Sequence, residues 1–142
     1  MTKRYQHVLY ATDLNDKSNS AAEEAQSLAE LFNAKFSLLH VVRPIATTYG
    51  YIGDYELERQ LMKEAKTQMV KLGDQLGVGE ENLHLVEGYP KEDIIEFSDE
   101  IGADLIVLNG HRHHFLGTLG SVANAVANKS NCDVLVLASE KN

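Results

Sequence analysis

This sequence predicts an α/β fold, a doubly wound parallel sheet with helices on both faces. Three observations predict it. Five short apolar runs, rich in Val, Leu and Ile, are spaced along the chain with no charge at their centres. Between them lie segments whose apolar residues recur every three or four positions, the period of an amphipathic helix. The fourth apolar run, Leu105-Ile106-Val107-Leu108-Asn109, ends at Gly110, and Gly120-Ser121 then opens a further helix. A buried parallel strand that delivers its C-terminal end to a site is written this way.

His7-Val8-Leu9-Tyr10-Ala11 reads as the first strand. The polar turn Thr12-Asp13-Leu14-Asn15-Asp16 follows. Asn15 and Ser18 are candidate caps for the next helix, and Ser20 with Glu23 has capping-box spacing one turn later. Ala21, Ala25, Leu28 and Phe32 share its apolar face, with Ala22 and Ala29 beside them, and Asn33 ends it. Phe36–Val42 is the second strand, stopped by Pro44. Residues 43–54, carrying Tyr49 and Tyr51, form a connector of the length at which loops become functional or mobile.

A helix from about Tyr55 to Leu76 is marked by Leu61, Ala65, Met69, Leu72 and Leu76, and Gly77-Val78-Gly79 closes it. Leu83–Glu87 alternates like a strand. Gly88-Tyr89-Pro90 turns the chain into a helix with Pro90 at its first position, Ile94, Ile95, Phe97 and Ile101 on its core face and Gly102 at its end. The strand to Asn109, a loop, a helix from near Gly120 and a last strand, Asp133–Ala138, complete β-α-β-α-β-α-β-α-β. No domain break, repeat or low-complexity segment interrupts residues 1–142, so one domain is expected.

Composition narrows the function. The chain has 142 residues, 44% hydrophobic and 24% charged, a globular balance with enough length for a core. Net charge is −8 with no basic run, which argues against nucleic acid or an anionic membrane as partner. The lone Cys132 provides no disulfide framework and suits a reducing compartment. The first residues lack a signal-peptide core, and no apolar stretch approaches the roughly 18 residues of a membrane span. A cytoplasmic protein is expected.

In a doubly wound sheet the ligand crevice lies at strand C-terminal ends, where the winding reverses. That brings Thr12 and Asp13 from the first strand toward Asn109, Gly110 and His111 from the fourth, with Val41 and Val42 as an apolar wall. Gly120-Ser121 adds the free N–H groups of a helix N-terminus, a favourable place for phosphate. Arg112 can bind phosphate bidentately or be a surface cation. Asp13 suits a ribose hydroxyl or Mg²⁺, and equally a turn-stabilising role. His111, His113 and His114 with Asp13 have zinc-ligand chemistry. Adjacent loop histidines are more often solvated, and no metal is expected. His40, inside a strand, reads as an inter-element histidine, and Cys132 as packing. No nucleophile–base motif is visible, so no catalytic residue is assigned.

Tyr10-Ala11-Thr12-Asp13, Leu38-Leu39-His40-Val41, Gly88-Tyr89-Pro90, Asp104-Leu105-Ile106-Val107 and Gly120-Ser121-Val122-Ala123 before Asp133-Val134-Leu135-Val136 resemble the universal stress protein family over essentially the whole chain. The resemblance implies a Rossmann-like five-stranded sheet of order 3-2-1-4-5, a cytoplasmic stress-response role and a homodimer. Its nucleotide-binding members have Gly, two residues, Gly, nine residues and then Gly-Ser or Gly-Thr. Here His113 stands at the second Gly, and only the six residues His114 to Leu119 precede Gly120. Gly110-His111-Arg112-His113-His114-Phe115 is similar instead to the Gly-His-His-Gln-Asp-Phe of the founding subgroup, which does not bind ATP.

Gly120-Ser121, Asp13 and Val41 nevertheless match the nucleotide binders. The implied nucleotide positions are Thr12, Asp13, Val41, Gly110, His111, Arg112, Gly120 and Ser121. A shortened loop that is one glycine poor encloses a phosphate chain badly, so weak or no ATP binding is expected. Two functions follow: a non-enzymatic homodimeric interaction module joined through residues 133–138, or an ATP-binding switch with at most slow hydrolysis.

Overall fold

A computed structural model describes residues 4–14, 19–44, 55–110 and 120–138. Five strands, β1 (His7–Ala11), β2 (Lys35–Val42), β3 (Leu83–Glu87), β4 (Leu105–Gly110) and β5 (Asp133–Ala138), form one parallel sheet in the order β3-β2-β1-β4-β5. Four helices connect them: α1 (Ser20–Leu31), α2 (Tyr55–Leu76), α3 (Pro90–Ile101) and α4 (Ser121–Lys129). The strands and helices expected from the sequence are all present, with β2 starting one residue earlier and β4 ending one residue later. A 3-10 turn, Glu80–Asn82, leads into β3.

The central strands β1 and β4 are buried on both faces, which is why their sequences are apolar without alternation. One core layer joins Val8, Tyr10, Leu38, Leu105 and Val107 to the small residues Ala21, Ala22, Ala25 and Ala29 of α1 and to Met69 and Leu72 of α2. The other joins Leu9, Leu39, Val41, Ile106 and Leu108 to Ile94 of α3 and to Ala123 and Val126 of α4. Each large side chain fully withdrawn from water here stabilises the fold by about 1.5–3 kcal/mol before entropy is charged. The run of alanines lets α1 approach the sheet closely.

Helix ends follow local chemistry. Gly77 (φ 70°) and Gly102 (φ 73°) take the left-handed conformation that closes α2 and α3 without a Cβ penalty. Pro90 occupies the first turn of α3, where its missing N–H costs nothing. The start of α1 differs from the Ser20–Glu23 capping box: Asn19 is the N-cap, in the left-handed region at φ 56°, and no side chain caps it. Asn19 Nδ2 instead donates to Gln75 Oε1 of α2 at 2.5 Å, so the side chain joins two helices. The candidates Asn15 and Ser18 lie outside the described residues. At the other end, Asn33 at φ 54° turns the chain away from α1, as expected.

Candidate functional site

β1 has β2 on one side and β4 on the other. The chain winds one way through α1 and α2 to β3, then crosses back through α3 to β4. The winding therefore reverses between β1 and β4, and their C-terminal ends part to leave a crevice. A cavity of about 610 Å³ opens there, within the range of small-molecule sites. Leu39, Val41, Val42, Ile94 and Leu108 give it apolar walls, and Thr12, Asp13, Asn109 and Ser121 bring polar groups to it.

Thr12 is anchored from three directions. Its N–H donates to the Leu39 carbonyl at 2.8 Å, its hydroxyl accepts the Leu14 N–H at 3.0 Å, and its own carbonyl accepts from His40 Nδ1 at 2.7 Å. Leu14 follows in the left-handed region at φ 62°. These bonds fix the turn that presents Asp13 to the crevice. Opposite stands the N-terminus of α4. Gly120 is its N-cap, with no side-chain cap bond and no acidic residue in the first turn. The first intrahelical bond is Asn124 N–H to the Gly120 carbonyl at 3.0 Å, so the preceding amides of the turn have no partner within the helix. Their partial positive charge is aimed at the crevice mouth.

Five of the eight sequence-derived positions, Thr12, Asp13, Val41, Gly120 and Ser121, line this one crevice. Gly110 is buried at the end of β4, paired with Ala138, and is not among the lining residues. His111 and Arg112 lie outside the described residues, as do His113, His114, Tyr49 and Tyr51. His40 is an inter-element histidine through its bond to Thr12, and half-buried Cys132 packs at the edge of the second core layer. Pro90, Ile94 and Arg43 also line the crevice and were not assigned from the sequence. Ile94 reads simply as a core residue of α3. Only the position of α3 across β2 turns one end of its apolar face toward the ligand side.

The fold and crevice define a doubly wound α/β protein with an open cavity at its switch point. The model of the Universal stress protein family matches residues 4–138, and the chain belongs to that family. It is 33% identical over 140 residues to universal stress protein A homolog 1 of Coxiella burnetii, covering 94% of this chain and 96% of that protein. The solved structure of MJ0577, a universal stress protein of Methanocaldococcus jannaschii, superposes with a TM-score of 0.80 at 28% identity, covering 99% of this chain and all of that one. A universal stress protein solved in complex with cAMP is 26% identical with a TM-score of 0.64, over 97% of this chain and all of that one. No described helix is long and apolar enough to cross a membrane.

Proposed function

We propose that this chain is a non-enzymatic, cytoplasmic stress-response protein that holds a nucleotide with a single phosphate in the crevice and acts as a homodimeric interaction module through β5. One observation carries the ligand reading: the crevice opposes an apolar slot, Val41, Ile94 and Leu108, to the N-terminus of α4, where Gly120 as N-cap offers no capping side chain. The slot suits a flat base, and the helix end suits an anion. Asp13 lies on the crevice wall as an acceptor for ribose hydroxyls, and Ser121 as a hydroxyl partner for phosphate. Gly120 permits close backbone approach, and His111 and Arg112 are the phosphate-contact candidates between Gly110 and Gly120 in the sequence.

The similar protein solved with cAMP supports a one-phosphate ligand. So does the loop between Gly110 and Gly120, whose length and His113 disfavour a longer phosphate chain. The second reading, an ATP-dependent switch, is favoured by Asp13, Val41 and Gly120-Ser121 lying together on the crevice.

Calorimetric titration with AMP, cAMP and ATP–Mg²⁺ separates the two readings. AMP or cAMP should bind roughly tenfold or more tightly than ATP, and Gly120→Val should abolish binding. ATP binding as tight as AMP would overturn the one-phosphate reading in favour of the switch.

A further inference from the structure

The layer under α3 changes character along the helix. Its N-terminal half covers the apolar crevice end, with Ile94 packed among Leu39 and Val41. Farther along, the sheet presents polar groups. His7 is 8% exposed, and Ser37 and Ser98 are fully buried. His7 Nδ1 lies 3.2 Å from the Ile101 carbonyl at the end of α3. A carbonyl only accepts, so Nδ1 carries the proton and Nε2 is left to accept the Ser37 hydroxyl at 2.8 Å. His84 of β3 stacks obliquely on Phe97 of α3, with ring centroids 4.8 Å apart. β1, β2 and β3 thus each place one polar side chain beneath one helix.

We propose that this His7–Ser37–His84 layer is an acid-responsive latch, holding the C-terminal half of α3 on the sheet at neutral pH and releasing it on acidification. Protonating His7 forces Nε2 to donate to Ser37, whose hydroxyl must then turn toward Asn82 Oδ1 at 3.5 Å, a long and weak alternative. The cationic neighbours of the two rings favour the neutral forms, and one anion opposes them at His7. Lys35 pairs in register with His7 from β2, and His84 adds a second potential cation from β3. Asp104, after α3, is the nearby anion, and its carboxylate already accepts the backbone N–H groups of Gln6 and His7. Phe97, Ser98 and Ile101 of α3 bring no charge.

Burial first, then Lys35, pushes His7 below its ordinary value, against the Ile101 carbonyl and Asp104. Burial, then His7 and Lys35, does the same to His84. The sign follows. A released histidine takes up its proton near its ordinary value of 6.5, while the docked one stays neutral to lower pH. Docking is therefore unaffected above that value and weakens as pH falls below it. α3 is a single helix whose other end, Pro90 and Ile94, walls the crevice, so release at one end loosens the ligand wall at the other. That last consequence rests on the crevice being the ligand site; the latch itself does not.

Hydrogen exchange on the ligand-free, full-length protein tests the latch, after correction for the intrinsic pH dependence of exchange. From about pH 7.5 to about pH 5, protection across α3 should fall on the order of tenfold more than across β4. The double substitution His7→Gln, His84→Phe should remove that excess. Equal pH dependence in α3 and β4, or an excess that persists in the folded double variant, would overturn the proposal. A readout on the wild type covers a variant that fails to fold: NMR titration should find both rings protonating below about 6.5, and either ring titrating at or above it would also overturn the latch. AMP titration at both pH values addresses the crevice separately. Its failure at both would remove the ligand reading and leave the exchange result decisive for the latch.

Discussion

His40 Nδ1 donates to the Thr12 carbonyl at 2.7 Å, while the Thr12 N–H donates to the carbonyl of the residue before His40, Leu39, at 2.8 Å. Two consecutive residues of β2 therefore hold both backbone polar groups at the point where β1 gives way to the Asp13 turn. The turn is set by strand geometry as well as by its own residues.

His40→Phe should consequently cost stability and ligand affinity together. A planar aromatic ring is kept, though a larger one, but the Thr12 carbonyl loses its donor at a half-buried place, a loss of about 1–2 kcal/mol. Urea unfolding measures the first effect and AMP titration the second. Stability lost with affinity unchanged would show that the bond holds the strand end without aiming Asp13.

The glycine before α3 has a specific reason. A Cβ at Gly88 would collide with the carboxylate of Asp93. That carboxylate accepts the Tyr89 N–H at 2.6 Å, satisfying one of the free donors at the start of α3. Gly88→Ala should displace the Asp93 side chain and cost about 1 kcal/mol, similar to Asp93→Ala. The double variant should cost little more than either single one, because both remove the same bond. Additive losses in denaturant unfolding would refute the shared mechanism.

Much of this architecture was legible in the residues, for physical reasons. Continuous apolar runs are what two-sided burial demands, so β1 and β4 declared themselves as central strands. Pro90, Gly77 and Gly102 marked helix ends because their backbone preferences are local. What stayed hidden depends on tertiary placement. Asn19 is the N-cap of α1, with its side chain tied to Gln75 in α2, 56 residues away. His7 and His84 carry no local sign of a shared environment, because only the order β3-β2-β1 brings them under one helix. Ile94 was legible as core but not as crevice wall. Thr12, Asp13 and Val41 meet at the crevice because strand C-termini converge wherever a doubly wound sheet reverses, and Gly120 joins them from the start of α4.

Ile94 offers a test of that dual position. It is 4% exposed in the second core layer and also lines the crevice. Ile94→Ala should destabilise the protein by about 2–4 kcal/mol, and Ile94→Val by about 1 kcal/mol. The valine variant should keep the fold and still weaken AMP binding, since a methylene is lost from the base slot. Unchanged AMP affinity in a folded Ile94→Val variant would move the base elsewhere in the crevice.

The two sheet edges differ in how they discourage pairing. β3 carries His84 and ends at the exposed Glu87. Among the described residues β5 pairs with β4 alone, and its interior, Val134-Leu135-Val136-Leu137, has no charge, Pro or Gly. An apolar edge of this kind is a pairing hazard unless it is covered. A second copy can cover it, because a two-fold axis sets the two β5 strands antiparallel and lets one sequence serve both sides. Leu135 is the cleaner position to test. It is 36% exposed, whereas Val136 packs on the α3–α4 layer, so that Val136→Pro also endangers the core. We predict a wild-type dimer at micromolar concentration by sedimentation equilibrium. Leu135→Lys should shift it to monomer, with circular dichroism unchanged, by placing two like charges near the shared edge. A monomeric wild type, or a folded Leu135→Lys protein that stays fully dimeric, would show that β5 is not the interface.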